Sequence, residues 1–169
     1  MSAKKKVLEN SFFYIFSSLL VKAMGFLLLP IYTLFLTPDD YGITNLVTGF
    51  LNVANFIVAF SLYSAAIRFY ADYKDNHEKL KKFYGTIINF IFGSGVIFLI
   101  LSFVFKNILI SIFFKGIGFY PIVFIALLSL IFISLYTMHE SILQGMQQGK
   151  KLTKLNLVVF VSTAILKVV

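Results

Sequence analysis

Apolar residues gather into five long runs, at 11–36, 41–69, 83–105, 119–139 and 155–169, separated by charged or Gly- and Pro-containing connections. The first run is 26 residues long, against the ~20 residues that ~30 Å of hydrocarbon requires. The pattern predicts an all-α protein, a polytopic transmembrane helical bundle with four complete spans and a fifth begun. The fifth run has only 15 residues before the chain ends and no polar stop after it, so the chain is expected to be the N-terminal fragment of a larger membrane protein. Lys4, Lys5 and Lys6 precede the first run as they would in a signal peptide. That run is too long for one and lacks a small-residue cleavage site, so it is expected to remain as a span.

The connections carry helix-start chemistry. Thr37 stands before Pro38, with Asp40 three residues after it, which predicts an N-cap, a proline at the first helical position and a carboxylate reaching back. The first two spans should therefore form a tight antiparallel hairpin. Asp75 and Glu78 repeat the pattern before Lys79 to Lys82, and Pro121 suits the first turn of the fourth span.

Polar residues inside the runs fall on stripes. At ~100° per residue, Ser11, Tyr14, Ser18, Lys22, Gly25 and Thr33 share roughly a third of the first helix's circumference. Lys22 lies about 16 Å along from Ser11 at ~1.5 Å per residue, too deep for its amine to reach either interface easily. The second span carries Asn45, Thr48, Asn52, Asn55 and Tyr63 on one face, and in the fifth Asn156, Thr163 and Lys167 share a face. An amide without hydrogen bonds in hydrocarbon costs several kcal/mol, so these faces require either a partner helix or water. For Ser and Thr, packing is the default, and Gly25 and Gly93 are expected to admit close helix approach. For Lys22 the default is a functional cavity, because no Asp or Glu lies within the first three spans; snorkelling and a carboxylate elsewhere are the alternatives. Arg68 falls opposite the asparagines near a span end and reads as a topology anchor, with a ligand contact as the other reading. His139 and Glu140 adjoin at the end of the fourth span, where a solvated helix end is favoured over a proton relay. Gly145 and Gly149 match G-x-x-x-G, but the polar residues between them favour a turn.

Composition agrees with the pattern: 59% hydrophobic and 13% charged residues, with mean hydropathy +0.91. In a soluble domain the net charge of +8 would raise the question of nucleic acid. Here it reads as topology, and no nucleic-acid partner is expected. Eleven basic residues fall at the N-terminus, around 68–82 and around 150–154, while the opposite ends hold only Lys106 and Lys115. By the positive-inside rule the N-terminus is cytoplasmic, in a multi-pass protein of the cytoplasmic membrane. The chain has no cysteine, which removes disulfides and thiolate chemistry. It also lacks a nucleophile elbow, a phosphate loop, H-E-x-x-H and any Asp-rich cluster, so no catalytic residue, metal or cofactor is predicted.

The order of features resembles a family. The first span ends GFLLLPIY from Gly25 to Tyr32, followed by LTPDDYG from Leu36 to Gly42, and the second span closes AAIRFY from Ala65 to Tyr70. These motifs are similar to the start of Wzx-type polysaccharide flippases, of the MATE/MOP superfamily that also holds lipid II flippases and multidrug and toxic-compound extruders. A glycine often expected before the last motif is Ser61 here. The resemblance implies a transporter of two helical bundles with a central cavity opening alternately to each side, this chain supplying most of the first bundle. It implies a polyprenyl-pyrophosphate-linked oligosaccharide as cargo, the bilayer as solvent, and glycan polymerase or assembly proteins as further partners. Lys22 and Lys167 would then attract pyrophosphate and Asn45, Asn52 and Asn55 bind sugar hydroxyls. A multidrug-type antiporter and a non-transporting scaffold of glycan assembly are the competing readings, with a membrane glycosyltransferase or ligase third.

Overall fold

The computed structural model describes residues 3–168, and inside its helices the side chains of 3–7, 21, 24, 27, 28, 31–33, 35 and 164–168 lie outside that description. The chain is an all-α membrane protein. Its helices are α1 (Ala3–Phe35), α2 (Pro38–Ala59), α3 (Leu62–Tyr73), α4 (His77–Val104), α5 (Lys106–Phe113), α6 (Phe124–Gly145) and α7 (Gly149–Val168), with a π-helical turn at Phe119–Val123 leading into α6. Among the described residues, Pro38–Ala59, His77–Val104 and Phe119–Gly145 are long and apolar enough to cross a membrane. At ~1.5 Å per residue, α1, with 33 residues, is about 50 Å long, and α7, with 20, about 30 Å. The helix predicted from 155 therefore begins six residues earlier, at Gly149.

The start of α2 follows the capping chemistry. Thr37 Oγ1 and its backbone N–H donate to Asp40 Oδ2 at 2.6 and 3.2 Å, and Asp40 N–H donates back to Thr37 Oγ1 at 3.3 Å. The start of α4 differs by one residue. Its cap is Asn76, in extended backbone, whose side chain accepts from Lys79 N–H at 3.0 Å.

Instead of the single predicted helix over 41–69 there are two, α2 and α3, broken where Phe60 and Ser61 take φ of 46° and 56°. The break packs against α4, where the Val58 carbonyl accepts from Ser94 and the Ala66 carbonyl from Tyr84. Backbone groups freed by a break in an apolar helix are costly unless side chains satisfy them. Ser94 Oγ does so, donating to the Val58 carbonyl at 2.6 Å. A left-handed residue with a Cβ costs ~1–2 kcal/mol, and glycine avoids that cost while losing more entropy on folding. Ser61→Gly is accordingly expected to raise stability by about 0.5–1 kcal/mol, measurable as a higher Tm in detergent. An unchanged or lower Tm would contradict a strained left-handed backbone at Ser61.

The chain divides into two compact units, Met1–Tyr41 with Leu143–Val169, and Gly42–Ile142. In the first, α1 packs along α7 through polar residues. Ser17 donates to Thr153 Oγ1 at 2.9 Å, Thr153 also bonds the carbonyls of Phe13 and Gly149, and Tyr14 OH reaches the Gln144 carbonyl at 3.3 Å. Lys150 pairs with Glu9 at 2.7 Å. Gly149, read above as turn chemistry, is where the two backbones meet: a Cβ there would lie 3.0 Å from Asn10 Oδ1 and 3.2 Å from its carbonyl. By contrast, a Cβ at Gly25 or Gly93 would meet nothing within 4 Å, so the close approaches expected of them occur instead at Gly149 and Gly95.

In the second unit, Val47, Phe50, Ala54 and Val58 form the seam of α2. At one end they join a core of Phe114, Phe119, Val123 and Leu127. Further along, Gly95 lets α4 approach Ile131 and Val58 closely, a Cβ there falling 3.1 Å from Ile131 Cγ1. Helix α5 is absent from the sequence prediction. Its apolar residues Ile108, Leu109, Ile112 and Phe113 recur at helical spacing, but Lys106 hides them behind the apparent end of a span.

Candidate functional site

Lys22 is exposed on α1. It lies about 140° around the helix from Ser17, the residue buried against α7, counting ~100° per residue. The α7 seam therefore does not enclose it, and among the described residues it has no carboxylate partner. Ser18, one turn before it, is exposed and returns its hydroxyl to the Ile15 carbonyl at 2.8 Å. The stripe thus divides: Tyr14 joins the packed seam, while Ser18, Lys22 and Gly25 stay open. On α7, Asn156 is buried at 4% exposure and belongs to the packed part. Lys167 falls among the residues whose side chains lie outside the description.

The three asparagines of α2 separate in the same way. Asn55 Oδ1 accepts from Tyr63 OH at 2.8 Å and from Ser134 Oγ at 2.6 Å, so its carbonyl oxygen joins α2 to α3 across the break and to α6. Asn45 and Asn52 are exposed and, at ~100° per residue, lie roughly opposite Ala54, the centre of the seam. Thr48, near them, back-bonds to the Thr44 carbonyl at 2.7 Å. Asn55→Ala removes the acceptor shared by Tyr63 and by the Ser134 hydroxyl, which has 0% exposure, at a cost of about 1–3 kcal/mol. The expected outcome is a lower Tm and less protein in the membrane, with activity per molecule retained. Full stability with lost activity would instead place Asn55 at a ligand.

Arg68 is exposed on α3. Glu140 is half-buried on α6, where it accepts from Tyr136 OH at 3.5 Å, and His139 beside it is exposed. No group of three or more His, Cys, Asp or Glu residues arranged to hold a metal occurs among the described residues. Ser94 and Ser134, which hold the break and the asparagine, are not among the sequence candidates. Single serines in apolar helices carry no signal until their partners are known.

Beside α2 and α4 runs an apolar crevice. Its first part, about 590 Å³, is lined by Asn45, Phe50, Phe98 and Phe113 among others. A second part of about 500 Å³ shares Ile57, Phe98 and Leu101 with it and reaches Phe60 and Asn89 at the break. Asn89 is a third residue missing from the sequence candidates, a lone exposed amide in the third apolar run.

An all-α membrane fold, exposed polar stripes and an open lysine describe the chain without naming a lineage. A family model described as polysaccharide biosynthesis protein matches residues 7–169. The chain belongs to the polysaccharide biosynthesis protein family. Membership gives it a role in polysaccharide biosynthesis or export at a membrane. No curated protein and no solved structure matches the chain. Lys22 on α1 offers an open cation, and Asn45 and Asn52 on α2 offer two open amides, each exposed within its own unit.

Proposed function

We propose that this polysaccharide biosynthesis protein is a lipid-linked oligosaccharide flippase. It turns a polyprenyl-pyrophosphate-linked glycan across the cytoplasmic membrane by alternating access, with its N-terminus on the cytoplasmic side. The observation that supports this reading most is Lys22, exposed on the face of α1 away from α7 and lacking a carboxylate partner among the described residues. A charge at that depth costs ~2.5–3.5 kcal/mol or more in hydrocarbon, and a hydrated cavity removes the cost while offering the amine to pyrophosphate oxygens. Asn45 and Asn52 are assigned to sugar hydroxyls, and Lys167 to the same anion. Asn55 is withdrawn from that set, because its carbonyl oxygen is engaged by Tyr63 and Ser134.

The test is a reconstituted one. The full-length protein in liposomes is given a fluorescent polyprenyl-pyrophosphate oligosaccharide, and its appearance in the opposite leaflet is followed by a quencher. Protein-dependent turnover supports the flippase. Turnover of cationic dyes without movement of the glycan lipid favours the antiporter, and neither activity, with glycan assembly still dependent on the protein in cells, favours the scaffold.

A further inference from the structure

The end of the second unit where α4 closes and α6 opens carries a feature that transport through a central cavity does not use. Helix α5 is amphipathic: Ile108, Leu109 and Phe113 line the apolar crevice, while Lys106, Asn107 and Ser111 line a separate cleft of about 410 Å³, closed on its other side by Gly118 and Tyr120. A short helix with one apolar face and a cation, placed immediately after the apolar run of α4, has the make-up of an interfacial helix.

The cleft sets a few donors among apolar neighbours, Ile110, Ile117 and Phe119, and no acid lines it. Lys106 is half-buried with its amine 5.6 Å above the Phe103 ring, which steers the side chain without neutralising it. The Tyr120 ring is fixed by contacts with Phe119 and Phe124, at centroid distances of 4.9 and 5.3 Å. Ser111 spends its hydrogen on the Ile108 carbonyl at 2.9 Å. Lys106 and Asn107 on one side and Tyr120 on the other thus bring three donor-bearing side chains to the cleft, and no Asp or Glu lines it. A phosphate, with acceptor oxygens only and negative charge, is the group such a cleft recognises. The surrounding segment from Phe105 to Tyr120 carries Lys106 and Lys115 as its only charges.

We propose that the cleft between α5 and the Gly118–Tyr120 turn binds the phosphate of a lipid headgroup. Two lipids present that chemistry at an interface, a membrane phospholipid and a polyprenyl phosphate carrier. The site is independent of Lys22 and of the transport reading.

Native mass spectrometry of the full-length protein in neutral detergent tests it, with dioctanoyl phosphatidic acid as probe and dioctanoylglycerol, its counterpart without phosphate, as control. The expected result is preferential binding of phosphatidic acid. It should weaken about tenfold or more in the Lys106→Gln, Asn107→Ala double variant, stay near wild type in Lys106→Arg, and be unaffected by Lys115→Gln. Equal binding of the two lipids, or equal affinity of wild type and the double variant, overturns the proposal. A short polyprenyl monophosphate then separates the sources. Displacement of phosphatidic acid at lower concentration assigns the cleft to the carrier, and weaker displacement assigns it to bulk phospholipid.

Discussion

Replacing Lys22 by alanine is expected to reduce glycan export by the full-length protein by about tenfold to a hundredfold, without reducing the amount of protein in the membrane. The direction of both effects follows from one cost. A lysine at this depth is unfavourable in hydrocarbon by ~2.5–3.5 kcal/mol or more, so alanine relieves folding and insertion. A structural role would predict the opposite, because cutting a buried ion pair leaves an uncompensated charge, and no carboxylate pairs with Lys22 among the described residues. The loss of export reflects one charge-assisted contact to phosphate, worth ~1.5–3 kcal/mol. Lys22→Arg keeps the charge and is expected to retain most of the activity. Export assayed beside membrane protein level separates the cases. Unchanged export in Lys22→Ala would remove the residue from the site, and a parallel fall in protein level would place it in packing.

The second large effect concerns stability. Gly149→Val is expected to unseat α7 from α1. Even alanine there brings a Cβ to 3.0 Å from Asn10 Oδ1, 3.1 Å from Phe13 Cβ and 3.2 Å from the Asn10 carbonyl. Asn10 Oδ1 also accepts the Gly149 N–H at 3.3 Å, so pushing it away loses a bond as well as a contact. Overpacking of this kind costs ~1–3 kcal/mol, against at most about 1 kcal/mol regained in helix propensity for alanine. Valine adds two methyl groups with no space given to them. Gly149→Ala should lower the Tm modestly, and Gly149→Val should lower it further and weaken a disulfide engineered across the α1–α7 seam. A Tm unchanged by valine would mean that the helices slide freely past each other, contrary to the Ser17–Thr153 bond.

Much of the fold was legible because lipid imposes simple rules. Length and apolarity picked out the regions of the three helices long and apolar enough to cross a membrane, and the Thr37 to Asp40 box marked the start of α2, since both are local properties. The break at Phe60–Ser61 was not legible, because a left-handed backbone is advertised by glycine and neither residue is one. Only the family resemblance, which expects glycine at 61, hinted at it. Helix α5 was hidden by Lys106, since a charge after an apolar run reads as a span ending. The polar stripes were correctly placed on faces, but a face does not say which of its members are already bonded. Tyr14 and Asn55 proved to have partners contributed by residues 130 and 79 positions away, a distance no periodicity reaches. Ser18, Lys22, Asn45 and Asn52 stayed open, and these carry the functional reading.

Single cysteines in the full-length protein, probed with a membrane-impermeant thiol reagent, measure that openness directly, and the natural absence of cysteine from this segment gives it no background labelling. The positions are Ser18, Lys22, Asn45 and Asn52, with Val53 and Ile57, exposed apolar residues turned roughly 80–140° away from the asparagines on α2, as controls. Labelling of the four with silence at the two controls is the expected result and marks both polar stripes as facing water. Silence at all six would mean that the stripes meet other helices in dry seams, and the flippase reading would give way to a scaffold.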